Sequence, residues 1–164
     1  MATLGRKNVL ASDVLTKQWA GAARYARKAA PEYFRRYREE RRCAIPPAPF
    51  TPHPKRWADS GLHAAWLGHS TVLLKIDGFT ILTDPILGAR CGVRMGPVTL
   101  GLRRLVLPAM PRAQLPHIDL ILLSHAHFDH FDLATLRGLE RAGTAVVTAK
   151  YTSDLLRPRR YRCV

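Results

Sequence analysis

The sequence predicts an α+β domain preceded by basic helices, on three observations. Apolar residues recur at helical spacing before Cys43, short period-two runs begin at Leu62, and an apolar strand leads into a capped helix between Asp119 and Leu139. With 164 residues the chain has room for one ordinary domain, since about 100 to 200 residues per domain is usual.

The leading part, residues 1–60, is read as a basic helical preamble with a proline-rich linker, and residues 61–164 as the folded domain. Ser12 or Asp13 can cap a helix whose Leu15, Trp19, Ala22, Ala23, Ala26 and Ala30 share one face, and Pro31 would end it or open another. A second helical stretch, 32–42, carries Tyr33, Phe34 and Tyr37 on one side and five arginines elsewhere. Five of the twelve prolines fall between Pro46 and Pro54, which argues against regular structure there.

Strands are expected at 62–67, 71–76 and 79–83, joined into an antiparallel meander by Gly68-His69-Ser70 and by the hairpin signal Asp77-Gly78. Residues 85–118 show no sustained period and hold five prolines and four glycines, so a long irregular loop is expected. The apolar run 119–123 reads as a buried strand belonging to the same sheet. Asp132 caps a helix through Leu133, Leu136 and Leu139 that stops at Gly143, with Glu140 in its interior. Residues 144–148 return to strand, 152–156 form a helical turn, and 161–164 open another strand. One sheet with the Asp132 helix on one face would leave the other face without cover, because a sandwich needs two inner surfaces.

Lys and Arg number 26 against 12 Asp and Glu, a net charge of +14, which favours anionic partners: nucleic acid, phospholipid headgroups or phosphorylated metabolites. No run approaches the roughly 20 apolar residues of a membrane span. Cys43, Cys91 and Cys163 form no Cys-x-x-Cys pair, so neither a disulfide framework nor a zinc ribbon is indicated. The opening residues lack the apolar core of a secretory signal, so the cytoplasm is the expected compartment, with membrane association as an alternative.

The chemistry concentrates in Ser124-His-Ala-His-Phe-Asp-His130 at the end of an apolar strand. In an extended segment residues two apart face the same way, so His125 and His127 can converge on one cation. Asp129 and His130, carried into the following turn, can reach a second cation beside it, as in two-metal hydrolytic sites. Imidazoles mixed with a carboxylate suit zinc, with iron or manganese as alternatives.

This segment has the His-x-His-x-Asp-His form of the metallo-β-lactamase fold hydrolases, which the chain resembles from about residue 61 to 164. Trp66-Leu-Gly-His-Ser-Thr71, Thr80-Ile-Leu-Thr-Asp-Pro-Ile86 and Leu115-Pro-His-Ile-Asp-Leu120 narrow the likeness. They look like the branch containing N-acylphosphatidylethanolamine-hydrolysing phospholipase D and the ascorbate-6-phosphate lactonases, the phospholipase group being closer. The resemblance implies a zinc-dependent hydrolase acting on a phosphodiester, with His125 and His127 on a first zinc, Asp129 and His130 on a second, and Asp129 also catalytic. It further implies that Asp84 braces the metal loop and that His69 lies near the pocket.

Family members continue further and supply another histidine to the first zinc, a bridging aspartate, and a histidine to the second. No histidine follows His130, and the later acids are Asp132, Glu140 and Asp154. The expected fold is therefore the amino-terminal half of an αβ/βα sandwich, holding at most one zinc, loosely. Its readings are a phosphodiester hydrolase, a lactonase or nuclease of the same superfamily, or a catalytically silent half-domain.

Arg90, Arg94, Arg103, Arg104 and Arg112 occupy the 85–118 segment without an acid among them, and would either bind a phosphate near the pocket or simply solvate the loop. The expected partner is an anionic small molecule or phospholipid. Peripheral membrane contact through Trp19, Tyr25 and Phe34 is an alternative to packing of the helices, and nucleic acid is the weaker candidate.

Overall fold

The computed structural model describes residues 27–95, 98–156 and 160–164. The helix expected from Ser12 or Asp13 lies mostly outside these residues. The chain divides into two compact units, Met1–Ala44 and Ile45–Val164.

In the first unit a helix, α1, covers 27–42 and runs through Pro31, where the sequence suggested a boundary. Proline's fixed φ suits helical backbone, while its missing N–H removes one hydrogen bond and its ring crowds the carbonyl four residues earlier. Arg35 reaches both Glu32 (2.8 Å) and Glu39 (2.7 Å), and Arg36 also reaches Glu32 (2.7 Å), all on the exposed surface.

The second unit begins within the proline-rich segment. Pro52 and Pro54 are buried, Pro54–Arg56 form a single 3₁₀ turn, and Trp57 packs against the core. Proline-rich sequence here forms part of the folded unit.

Strands β1 (Leu62–Gly68), β2 (Thr71–Ile76) and β3 (Phe79–Thr83) form the antiparallel meander expected from their alternation. Asp77 (φ 46°) and Gly78 (φ 85°) make the β2–β3 turn, two successive positive-φ residues of the kind a tight hairpin requires. Residues 85–118 correct the expectation of a loop, since they contain a separate hairpin, β4 (Arg90–Met95) with β5 (Val98–Arg103). Gly92 pairs with Gly101, and a Cβ on either would collide with the opposite backbone. This pairing of bare backbones is invisible to a search for side-chain alternation.

The main sheet continues with β6 (Leu120–Leu122), parallel to β3, and β7 (Ala145–Val147), parallel to β6, giving the order β1-β2-β3-β6-β7. Between them α2 (Leu133–Leu139) begins at its cap Asp132, and α3 (Ser153–Leu156) follows β7. Helix α2 ends earlier than expected. Glu140 adopts φ −55° and ψ 119° and is its C-cap, and Gly143 belongs to the next turn. The terminal segment runs parallel to β7 through a bridge between Ala145 and Cys163.

One sheet face, bearing Leu67, Leu73, Leu82, Ile121 and Val146, packs with Met110, Ile118, Phe131, Leu136, Leu139 and Leu156 into the core. The pairing register puts Leu62, Trp66, Ile76, Phe79 and Val147 on the opposite face, and each of them is exposed. A mixed sheet covered on one side is the half-sandwich that the sequence predicts.

Candidate metal centre

The site gathers at the carboxyl end of β6. Leu123 still donates its N–H to Val147 O (2.8 Å), holding the chain in the sheet up to the start of the histidine segment. The chain then turns, with the N–H groups of His130 and Phe131 both donating to His127 O (2.9 and 2.8 Å), before Asp132 starts α2. That turn brings the side chains of His125, His127, Asp129 and His130 to one end of β6.

His125 Nε2 and His127 Nδ1 stand 3.0 Å apart, with their rings edge to face. His130 lies against His125, their ring centres 4.2 Å apart. Asp129 Oδ2 is 3.6 Å from His130 Nε2 and 3.4 Å from His69 Nε2. The likeness put His69 near the pocket, and the fold groups it with Asp129 and His130, their donor atoms all within 4.8 Å of one another. His69 arrives from the β1–β2 turn with φ 54°, and Trp66 Nε1 donates to its carbonyl (2.6 Å).

Asp84 ties this cluster to the sheet. Its φ of 35° is rare for a residue with a side chain, and the carboxylate is almost wholly buried. It accepts from Ser124 N (2.8 Å) and Ser124 Oγ (2.7 Å), and its Oδ2 lies 2.8 Å from His130 Nδ1. Burial by itself would push the Asp84 carboxyl up, but the His130 and Ser124 hydrogen bonds outweigh it and hold the group below its ordinary value. The carboxylate takes the Nδ1 side of His130, which turns its Nε2 towards Asp129. Asp129 behaves similarly. Burial is the largest single influence and raises its carboxyl, but its own backbone N–H and the nearby His130 and His69 together bring it below the ordinary value.

Hydroxyl groups that the sequence reading did not single out lace the supports together. Buried Thr71 donates its Oγ1 to Asp84 O (2.8 Å) and accepts from Ile86 N (3.1 Å). Thr135 Oγ1 accepts from Leu87 N (3.1 Å) and donates to Asp132 Oδ2 (2.6 Å), joining the segment after Asp84 to the α2 cap. The signal available beforehand was Thr71 at the end of the Trp66–Thr71 motif. For Thr135, inside an ordinary helix, there was none.

Arg90 stands opposite Arg103 across the β4–β5 hairpin, and the other arginines of the 85–118 segment lie elsewhere along it. Arg104 spends its guanidinium on Gly88 O (3.1 Å) and Ile86 O (2.6 Å), and Arg90 donates to Gly101 O (3.0 Å), so both staple backbone. Arg94 and Arg103 lie on β4 and β5. Arg112 lies beyond the hairpin, in the short 3₁₀ turn Arg112–Gln114 before the opposite end of β6.

The donor set passes a geometric test for a cation. With metal–ligand bonds near 2.0–2.1 Å, tetrahedral ligand atoms stand roughly 3.3 Å apart. Within the group of His69, Asp129 and His130 the separations of 3.4 and 3.6 Å lie close to that value, and His125 with His127 forms a second pair 3.0 Å apart. His69, Asp129 and His130 could thus hold a metal ion, with the His125–His127 pair beside them and Asp84 orienting His130 from behind.

Comparison with known proteins follows the same residues. The family model described as Beta-lactamase superfamily domain matches residues 80–162, just over half of the chain. An uncharacterized protein of Mycobacterium tuberculosis is 41% identical over 104 residues, covering 62% of this chain and 27% of that one. N-acyl-phosphatidylethanolamine-hydrolyzing phospholipase D 1 of Caenorhabditis elegans is 39% identical over 75 residues, 46% of this chain and 20% of that protein. Among solved structures, isothiocyanate hydrolase from Delia radicum gut bacteria aligns with a TM-score of 0.47 and 22% identity, covering 62% of this chain and 40% of that one. The chain spans about a quarter of the length of the mycobacterial relative.

Proposed function

The chain belongs to the beta-lactamase superfamily, and we propose that it carries the metal-binding half of a zinc-dependent hydrolase acting on a phosphodiester of the N-acylphosphatidylethanolamine type. The observation that carries this reading is the convergence of His125, His127, Asp129, His130 and His69 at one strand end, with Asp84 buried behind them. The identity to the nematode phospholipase D supports the substrate class.

Zinc bound there supplies Lewis acidity, polarising a phosphoryl oxygen and bringing the pKa of water towards about 7. The protein's own part is positional. His125 and His127 present adjacent nitrogen donors. Asp84 fixes the His130 ring so that Nε2 points into the cluster. Asp129, kept ionised, accepts a hydrogen bond from the attacking water and orients it towards phosphorus.

Turnover of N-acylphosphatidylethanolamine vesicles by the zinc-loaded chain, with His127→Ala as control, tests the reading. Activity in the parent and its loss in the variant are expected, whereas equal activity in both would sink the assignment. A second reading, a half-domain that binds metal without turnover, is favoured by the uncovered sheet face bearing Leu62, Trp66 and Phe79. Metal binding with no activity in either protein would select it. On both readings the chain takes up at most one zinc equivalent after chelator treatment, read by elemental analysis, because the donors do not make two complete sites.

A further inference from the structure

At the amino-terminal end of β6 and β7, the end opposite the metal cluster, a cleft of about 710 Å³ opens between the 112–118 segment, the last turn of α2 and the turn before β7. Its size falls in the range of about 300–1,000 Å³ typical of small-molecule sites. Leu115, Ile118 and Leu139 supply apolar wall, while Arg112, His117 and Arg141 bring polar nitrogen groups to it.

Two glycines make room for these groups. A Cβ on Gly138 would run into the Arg112 guanidinium, and one on Gly143 would stand 2.9 Å from His117 Cε1. The missing side chains let Arg112 and His117 lie against the wall, so part of the entropy of placing them is spent on folding. Among the described residues the Arg112 guanidinium has no hydrogen-bond or ion-pair partner. Arg141 donates through one nitrogen to Glu140 O (2.8 Å), leaving further N–H groups available, and Asp119 lies 3.5 Å from His117. An adjoining depression shares Arg141 and adds Arg160 and Arg162, with Glu140 its one acid.

A guanidinium stays charged and matches the planar face of an oxyanion through two parallel N–H bonds. We propose that this cleft binds a small organic oxyanion, a phosphate monoester or a carboxylate, whose charged end meets Arg112 and Arg141 and whose apolar body lies on Leu115 and Leu139. The site is separate from the metal cluster and does not depend on the proposed activity.

The test uses the full chain in chelator, titrated with phenyl phosphate, benzoate and inorganic phosphate while backbone amide resonances are followed. Phenyl phosphate or benzoate should shift the Gly138, Gly143 and Thr144 amides and leave those of 125–130 in place. Whichever binds more tightly names the source of the oxyanion. Arg112→Gln and Arg141→Gln should each weaken binding about 10-fold or more, as expected for loss of a hydrogen bond to a charged group. Arg141 is exposed and outside the core, so its variant decides the matter if Arg112→Gln does not fold. Unchanged affinity in the folded variants, shifts confined to 125–130, or inorganic phosphate binding as tightly as both organic probes would each overturn the proposal.

Discussion

Asp84 combines burial, a positive φ and three short polar contacts, and no other residue type meets all three demands. Asparagine tolerates the same backbone but replaces one acceptor oxygen with a donor NH₂, which must then face Ser124 or His130. Asp84→Asn should therefore keep the fold and lower zinc affinity by about 10- to 100-fold, the usual cost of losing a partner behind a metal ligand. Competition against a chelating dye, with circular dichroism as the fold check, measures this. Unchanged affinity would remove the bracing role. Tyr161 offers a second residue-scale test, because its hydroxyl donates to Leu136 O (2.5 Å) in α2. Burial chiefly raises its phenol above the ordinary value of 10, with Glu140 adding and Arg141 opposing. A raised folded pKa gives stability that is complete below the unfolded value and fades as pH rises towards the folded one. Tyr161→Phe should cost about 0.5–1.5 kcal/mol at neutral pH through the lost hydrogen bond. The gap to the parent should narrow above about pH 10, as urea unfolding at several pH values would show.

Helix α2 has seven residues, too few to be stable alone, so its start depends on its cap and its packing. Asp132 accepts from Ala134 N (3.1 Å) and from Thr135 Oγ1 (2.6 Å), and Thr135 in turn holds Leu87 N. Asp132→Ala should destabilise the domain by about 0.5–2 kcal/mol, measured by urea unfolding. It should also loosen the 84–87 segment, seen as faster amide exchange at Leu87. A loss of stability without faster exchange would mean that the cap acts on the helix alone. This element was legible beforehand, since an aspartate before a Leu-x-x-Leu-x-x-Leu run is a local signal. The β4–β5 hairpin was not, because what defines it is Gly92 opposite Gly101.

At the scale of the molecule, the sheet has one packed face and one open face. Leu62 and Trp66 are each 68% exposed, Val147 56% and Phe79 44%, and the register aligns them on one surface. Contiguous apolar surface of this kind marks an interaction or aggregation site. The chain should bind an environment-sensitive apolar dye and associate as its concentration rises. Leu62→Lys combined with Phe79→Lys should reduce both effects, as read by fluorescence and sedimentation. Dye binding that ignores the substitutions would place the accessible apolar surface elsewhere. Among the described residues no helix is long and apolar enough to cross a membrane.

The sequence alone determined what local physics encodes. Side-chain alternation marked β1, β2 and β3, Asp77-Gly78 marked their hairpin, Asp132 marked the start of α2, and the histidine segment at a strand end marked the donor set. Tertiary structure alone decided which distant residues meet. His69 reaches Asp129 across 60 positions, and Asp84 reaches His130 across 46, because β3 pairs in parallel with β6. It also parted Arg104, which holds backbone carbonyls beside the site, from Arg112, which lies in a cleft at the far end of β6. Periodicity and capping act within a few residues and can be read along the chain. Strand order and crossover placement are set by burial of the whole core, which no local segment specifies.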